Sequence, residues 1–227
     1  MTGGVSRPTL LLVHGAWHGA WCWEKLTAVL EADGWRTRAI DLPSAGGRAG
    51  MHDDAQAVLG ELELIDGPVV VVAHSYGGIP VSQAAAEAGN VSRIVYLTAF
   101  QLDVGESLLG FAGAPVPPEP GDFEPMPNDP IAMFYGDAPR SEAEEAAKRL
   151  VPQSTKSFWD VLTKAAWHTV PSTYIICEGD QALPAQAQQV LAERSGAVHR
   201  IAGDHSPFLS KPAELAALLA KVALDLG

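Results

Sequence analysis

Two rhythms of apolar and polar positions alternate along the chain. Short runs rich in apolar and β-branched residues, at 9–13, 36–40, 69–73, 93–98, 173–177 and 198–201, have the length of strands. The runs at 9–13 and 69–73 are unbroken, as expected of strands buried on both faces of a sheet. Between them lie longer stretches with helical spacing. Residues 21–32 carry Trp23, Leu26 and Leu30, and residues 53–65 carry Val58, Leu62 and Ile65. Further helices are expected at 77–88, 185–193 and 212–226. Gly34, Gly67-Pro68 and Gly89-Asn90 supply the punctuation. Strands alternating with helices predict an α/β fold built on a mainly parallel, doubly wound sheet.

The rhythm breaks between Gln101 and Val170. Prolines crowd this segment, most densely from Pro115 to Pro130, and helical spacing returns at 141–150 and 157–168. Phe111, Phe123, Met126, Met133, Phe134, Tyr135, Trp159 and Trp167 are too many large apolar groups for a solvated linker. The pattern predicts one domain over residues 1–227, with a sheet-building core at 1–100 and 171–227 and a mostly helical cap inserted at about 101–170.

Composition narrows this picture. A chain of 227 residues, 47% hydrophobic and 19% charged, can bury one sizeable core. A formal charge of −12 argues against nucleic acid or an anionic membrane as partner. No apolar stretch approaches the roughly 20 residues of a membrane span, and Met1 to Pro8 lacks the apolar centre of a signal peptide. The expectation is a cytoplasmic protein, monomer or homodimer, acting on a small molecule. Cys22 and Cys177 stand far apart, outside any CxxC or metal-binding spacing, and read as small core residues. Neither a metal site nor a glycine-rich phosphate loop is evident, so no cofactor is expected.

The candidate chemistry lies where predicted strands end. Ala73-His74-Ser75-Tyr76-Gly77 closes the strongest strand and opens a helix. Ser75 with small residues two before and two after it fits a nucleophile on a tight, strained turn above the sheet edge, although a helix-capping serine would look similar in isolation. A serine hydroxyl needs a base to take its proton. Of seven histidines, His205 lies in the loop between the last strand and the last helix, at the same sheet edge. His14, His18 and His74 read as structural or pocket-lining, and His52, His168 and His199 as surface or cap residues. Asp180 follows the strand at 173–177, giving the order Ser, Asp, His. Asp103, after the strand at 93–98, is the rival acid, whereas Asp204, adjacent to His205, is badly placed to reach its ring. Glycines in Val13-His14-Gly15-Ala16-Trp17-His18-Gly19-Ala20-Trp21 allow close backbone approach, and the N–H groups of Ala16 and Tyr76 are the candidate oxyanion hole.

The run from His14 to Trp21 resembles the plant methylesterase and hydroxynitrile lyase branch of the α/β-hydrolases and its bacterial esterase relatives. So do Asp41-Leu42-Pro43, Ala73 to Gly78, Tyr96-Leu97-Thr98-Ala99-Phe100, and Asp204-His205-Ser206-Pro207-Phe208-Leu209-Ser210. The matches span both halves of the chain, and the segment 101–170 resembles the family loosely. The resemblance implies an α/β-hydrolase fold and hydrolysis of small, fairly hydrophobic short-acyl, aryl or methyl esters through a Ser75–His205–Asp180 triad. Hydroxynitrile lyases of this branch carry a threonine where Gly15 stands and a lysine where Ser206 stands, so esterase is favoured over lyase. A lyase, another cofactor-free enzyme of the fold, or a ligand-binding scaffold remain the alternatives. Gly15, Trp17, His18, Phe100, Phe134, Trp159, Ser206 and Phe208 are the candidate pocket residues, with Tyr76 beside them; each aromatic could equally be core.

Overall fold

The computed structural model describes residues 7–114 and 121–225. The stretch 1–6, the prolines at 115–120 and the final residue of the helix expected to end at 226 lie outside the described residues.

Among the described residues, eight strands follow in chain order: β1 (Thr9–Val13), β2 (Thr37–Ile40), β3 (Val69–His74), β4 (Val91–Leu97), β5 (Phe123–Glu124), β6 (Gln153–Ser154), β7 (Ser172–Cys177) and β8 (Ala197–Ile201). Six of them form one parallel sheet in the order β2-β1-β3-β4-β7-β8. The central strands β1, β3 and β7 are buried at every position, which is why β1 and β3 are almost entirely apolar; β7 adds buried Ser172 and Thr173 at its start. At the edges, β2 and β8 are partly exposed and carry Arg38, His199 and Arg200.

Alternate strand residues feed two separate cores. Leu11, Val13, Val71, Ala73, Tyr96 and Ile176 pack against Met51, Val58 and Leu62 of helix Met51–Glu63, Ile79 and Val81 of helix Gly78–Ala84, and Leu191 of helix Ala185–Ala192. Leu10, Leu12, Val70, Val72, Leu97 and Ile175 face Leu26 and Leu30 of helix Glu24–Ala32, and Leu215 and Leu219 of helix Pro212–Leu224. Both cysteines are buried with free thiols, Cys22 and Cys177 lying in this second core.

Strand order sets where a ligand can bind. From β1 the chain crosses to β2 on one side, then returns to place β3 on the other. The loops leaving the carboxyl ends of β1 and β3 therefore diverge and leave a crevice between them, the switch point where open α/β sheets bind ligands. Both glycine-flanked motifs, His14–Trp21 and His74–Gly78, sit there.

The chain between β4 and β7 carries the short helices Leu108–Phe111, Pro130–Phe134, Arg140–Lys148 and Thr155–Trp159, and the antiparallel pair β5–β6. The helix expected at 157–168 is interrupted. After Trp159 the chain extends, and only a 3₁₀ turn at Ala166–His168 follows. The backbone groups freed in this way have partners elsewhere. Leu162 donates its N–H to Glu106 and accepts from Gly105. Gln83 Oε1 takes the N–H groups of Thr163 and Lys164. The helix expected at 77–88 is likewise shorter, a 3₁₀ turn at Ser75–Gly77 running into Gly78–Ala84. No described helix is long and apolar enough to cross a membrane.

Candidate active site

β3 delivers Ser75 to the crevice on a sharp turn. Its φ is +51°, in the left-handed region that L-residues avoid. Among the described residues, three non-glycines share positive φ, namely Trp17, Ser75 and Thr98; the first two line the crevice and Thr98 is buried behind it, bonded to Asp180. Clustered backbone strain of this kind is characteristic of functional sites. The turn is held by its neighbours. The Ser75 carbonyl accepts the Phe100 N–H at 3.0 Å. A Cβ on Gly77 would lie 2.4 Å from the His14 carbonyl oxygen, and one on Gly78 would lie 2.6 Å from that of Phe100. Glycine is required at both positions, while Ala73 fits inside the core on the other side of the turn.

His205 reaches the same crevice from the loop after β8, and Asp180 from the loop after β7. His205 Nδ1 lies 2.7 Å from Asp180 Oδ2, with both side chains almost fully buried. The carboxylate is well supplied with donors. Oδ1 accepts the N–H groups of Ala182 at 2.7 Å and Leu183 at 2.8 Å. Oδ2 also accepts from the Thr98 hydroxyl. Burial alone would raise the Asp180 pKa; attraction to His205 and bonds from His205, Thr98 and Leu183 outweigh it and leave the pKa below the ordinary value. Beneath the ring, His74 Nε2 lies 2.8 Å from the His205 carbonyl, which as an acceptor requires Nε2 to carry the proton. Burial, with the neighbouring histidines, holds the His74 pKa well down, so this ring stays neutral.

The rival acid goes elsewhere. Asp103 Oδ1 pairs with exposed His168 at 2.8 Å. Asp204 Oδ1 accepts the backbone N–H groups of His205 and Gln181 and makes no bond to the imidazole ring.

Ser75 and His205 open into a cavity of about 160 Å³ that is mostly apolar. Ala16, Trp17, Tyr76, Phe100 and Phe134 line it, as do Leu108, Met133, Phe158, Ala182 and Leu183. A larger groove of about 740 Å³ opens elsewhere on the surface, among Asp129, Asp137, Glu178 and Asp204, and holds neither Ser75 nor His205. The smaller cavity is the candidate active site, because it alone of the two brings together the candidate nucleophile and the candidate base.

The sequence of residues 10–218 matches the family model described as the alpha/beta hydrolase family. The chain belongs to that family. It is 30% identical to Methylesterase 7 of Arabidopsis thaliana, over 96% of this chain and 97% of that protein. It is 32% identical to Norfluorocurarine synthase 2 of Strychnos nux-vomica, over 98% of each. Among solved structures, a methylesterase from Arabidopsis superposes with a TM-score of 0.82 at 26% identity, covering 96% of this chain and 99% of that one.

In this hydrolase several expected pocket residues sit one layer back from the cavity. His18 is buried, with Nδ1 2.8 Å from the Ala16 carbonyl and Nε2 2.7 Å from the Tyr135 hydroxyl. Burial lowers its pKa to about 3, so it works as a neutral strut between the first motif and the inserted segment. Phe208 packs under the site against Trp23 and His74. Ser206 is buried beside His205, and Trp159 packs against the core rather than the cavity. Gly15 lies against the candidate nucleophile, where an added Cβ would stand 2.8 Å from Ser75 Cβ. Leu108, Met133, Phe158, Ala182 and Leu183 were not expected as pocket residues. Phe158 had a signal, a second aromatic beside Trp159, but only the fold decides which of an adjacent pair faces inward. Thr98, which bonds Asp180, was legible only as the end of a strand.

Proposed function

We propose that this hydrolase is a serine esterase for small, fairly hydrophobic carboxylic esters. The observation that carries the reading is the buried His205–Asp180 pair, 2.7 Å apart, opening with Ser75 into one apolar cavity. Similarity to a methylesterase over almost the whole chain supports an ester as substrate. Asp180 holds the imidazole with Nδ1 protonated, which leaves Nε2 free to take the Ser75 proton. Ser75 attacks the ester carbonyl, and the Ala16 and Tyr76 N–H groups receive the oxyanion. His205 then protonates the departing alcohol, and water activated by the same histidine releases the acid.

Residues 101–170 serve as the cap that shapes the acyl and alcohol sites. Leu108, Met133, Phe134 and Phe158 supply their apolar walls. Two positions favour hydrolysis over cyanohydrin cleavage. The contact between Gly15 and Ser75 leaves no room for a threonine, and Ser206 supplies no positive charge for departing cyanide.

The test is a side-by-side assay of the protein and Ser75→Ala on p-nitrophenyl acetate and butyrate, aryl methyl esters and mandelonitrile. The expected result is ester turnover that falls on the order of a millionfold in the variant. Ester turnover that survives the substitution would reject the mechanism, and Ser75-dependent cyanide release alone would make the protein a lyase.

A further inference from the structure

Asp54 is a carboxylate in the first turn of helix Met51–Glu63, a position where acidic side chains are commonly solvated and favoured by the helix N-terminus. It is instead fully buried. Oδ1 accepts the Ser44 N–H at 2.9 Å. Oδ2 accepts the hydroxyls of Ser44 and Tyr76, each at 2.5 Å. A buried carboxylate persists only where donors satisfy it, and one of these donors belongs to the residue that follows Ser75.

The bonds continue beyond Ser44. Because Ser44 Oγ spends its proton on Asp54, it accepts from Gln153 Nε2, at 2.8 Å. The second Nε2 proton goes to Ser157 Oγ, also at 2.8 Å. Gln153 Oε1 is left to accept the Trp17 N–H, at 3.1 Å. The Trp17 carbonyl in turn accepts the Val151 N–H at 2.9 Å. Trp17, whose φ is +61°, is thus held on both sides of its strained backbone by the segment 151–153. With Asp54 ionised, the donor and acceptor directions along the chain follow from it, and Ser44, Asp54 and Gln153 are all fully buried.

We infer that Asp54, Ser44 and Gln153 form a buried relay that positions both halves of the oxyanion hole, Tyr76 through its hydroxyl and Ala16 through Trp17. The inference rests on the esterase reading above. These residues touch no substrate. Asp54 anchors the Tyr76 ring, so the Tyr76 N–H keeps its direction beside Ser75. Gln153 anchors Trp17 and keeps the preceding Ala16 in place. Since Gln153 belongs to the inserted segment, the hole is complete only when that segment is seated on the sheet.

The experiment compares Tyr76→Phe, which keeps the backbone N–H and the ring, and Gln153→Leu, each against the unaltered protein. Three quantities are read: kcat and KM for p-nitrophenyl acetate, inhibition by 2,2,2-trifluoroacetophenone, and Tm. The ketone adds to a nucleophilic serine and places its oxyanion where that of the ester would form. In each variant kcat should fall at least about tenfold with KM moved less than about twofold, and ketone affinity should fall by the factor seen in kcat. A lower Tm with kcat and ketone affinity both within about twofold of the unaltered protein would reduce the relay to a packing feature and overturn the inference. Ser75→Ala in the same series separates the two claims. If it retains turnover, the esterase reading itself falls, whereas loss there with unchanged Tyr76→Phe and Gln153→Leu rejects the relay alone.

Discussion

The parallel sheet and the segment inserted between β4 and β7 contribute differently to one cavity. The sheet presents Ser75 and Asp180 from loops that follow strands buried at every position, and His205 from the loop after the edge strand β8, all at its carboxyl edge. The inserted segment presents apolar walls from helices of four or five residues, Leu108–Phe111, Pro130–Phe134 and Thr155–Trp159. Helices this short have little intrinsic stability and stand through their contacts. On the proposed reading, reactivity is built on loops at the edge of the buried sheet, and selectivity where a substitution perturbs the core least.

The largest expected effect breaks the comparison on the sheet side. Asp180→Asn should lower kcat/KM by about 10⁴, because an amide no longer stabilises the imidazolium and favours the wrong tautomer. Asp103→Asn, which disturbs only an exposed pair with His168, should stay within about threefold. A larger loss in the second variant than in the first would mean that the acid is misassigned.

Stability should divide along the same line. Leu12, fully buried in β1, should cost about 2–5 kcal/mol when replaced by alanine, with the ratio of acetate to butyrate turnover unchanged. Met133, half-buried on the cavity wall, should cost under about 1.5 kcal/mol as alanine but shift that ratio toward the longer acyl group. Denaturant midpoints and the two rates check both. Equal stability losses with equal ratios would erase the division.

A smaller effect follows from the titration of Asp54. Burial raises its pKa to about 6, against the bonds from Ser44 and Tyr76 that lower it, while Asp53 nearby raises it further. The folded state therefore holds this proton more tightly than the unfolded chain. The resulting stabilisation is fully present below the unfolded carboxylate pKa and is lost as pH rises through about 6. Asp54→Asn cannot titrate, so the stability advantage of the unaltered protein over this variant should shrink by about 2 kcal/mol between pH 4 and pH 7. A Tm difference that stays level across that range would contradict the assignment.

Legibility followed burial and periodicity. β1 and β3 could be read because both faces are buried and the apolar run is nearly unbroken, and β7 because its short β-branched and aromatic run sits between turn signals. Ser75 could be read because its turn demands small neighbours, and Gly77 and Gly78 do pack against carbonyl oxygens. Asp180 and His205 followed from strand ends and chain order. In the inserted segment the logic failed, because its short helices answer to partners distant in sequence. Residues 160–164 have enough helical spacing to suggest a continuous helix, yet Gln83 and Glu106 take their backbone donors instead. Asp54 was illegible for a related reason, since nothing local distinguishes a buried carboxylate from a solvated one at a helix start.

The most direct test of a covalent mechanism is to trap its intermediate. Rapid acid quench during turnover of p-nitrophenyl butyrate, followed by peptide mass spectrometry, should find a butyryl group on Ser75 and none in Ser75→Ala. Turnover with no acyl group on Ser75 under conditions where deacylation limits the rate, or an acyl group on another residue that carries the turnover, would contradict the assignment of Ser75 as nucleophile.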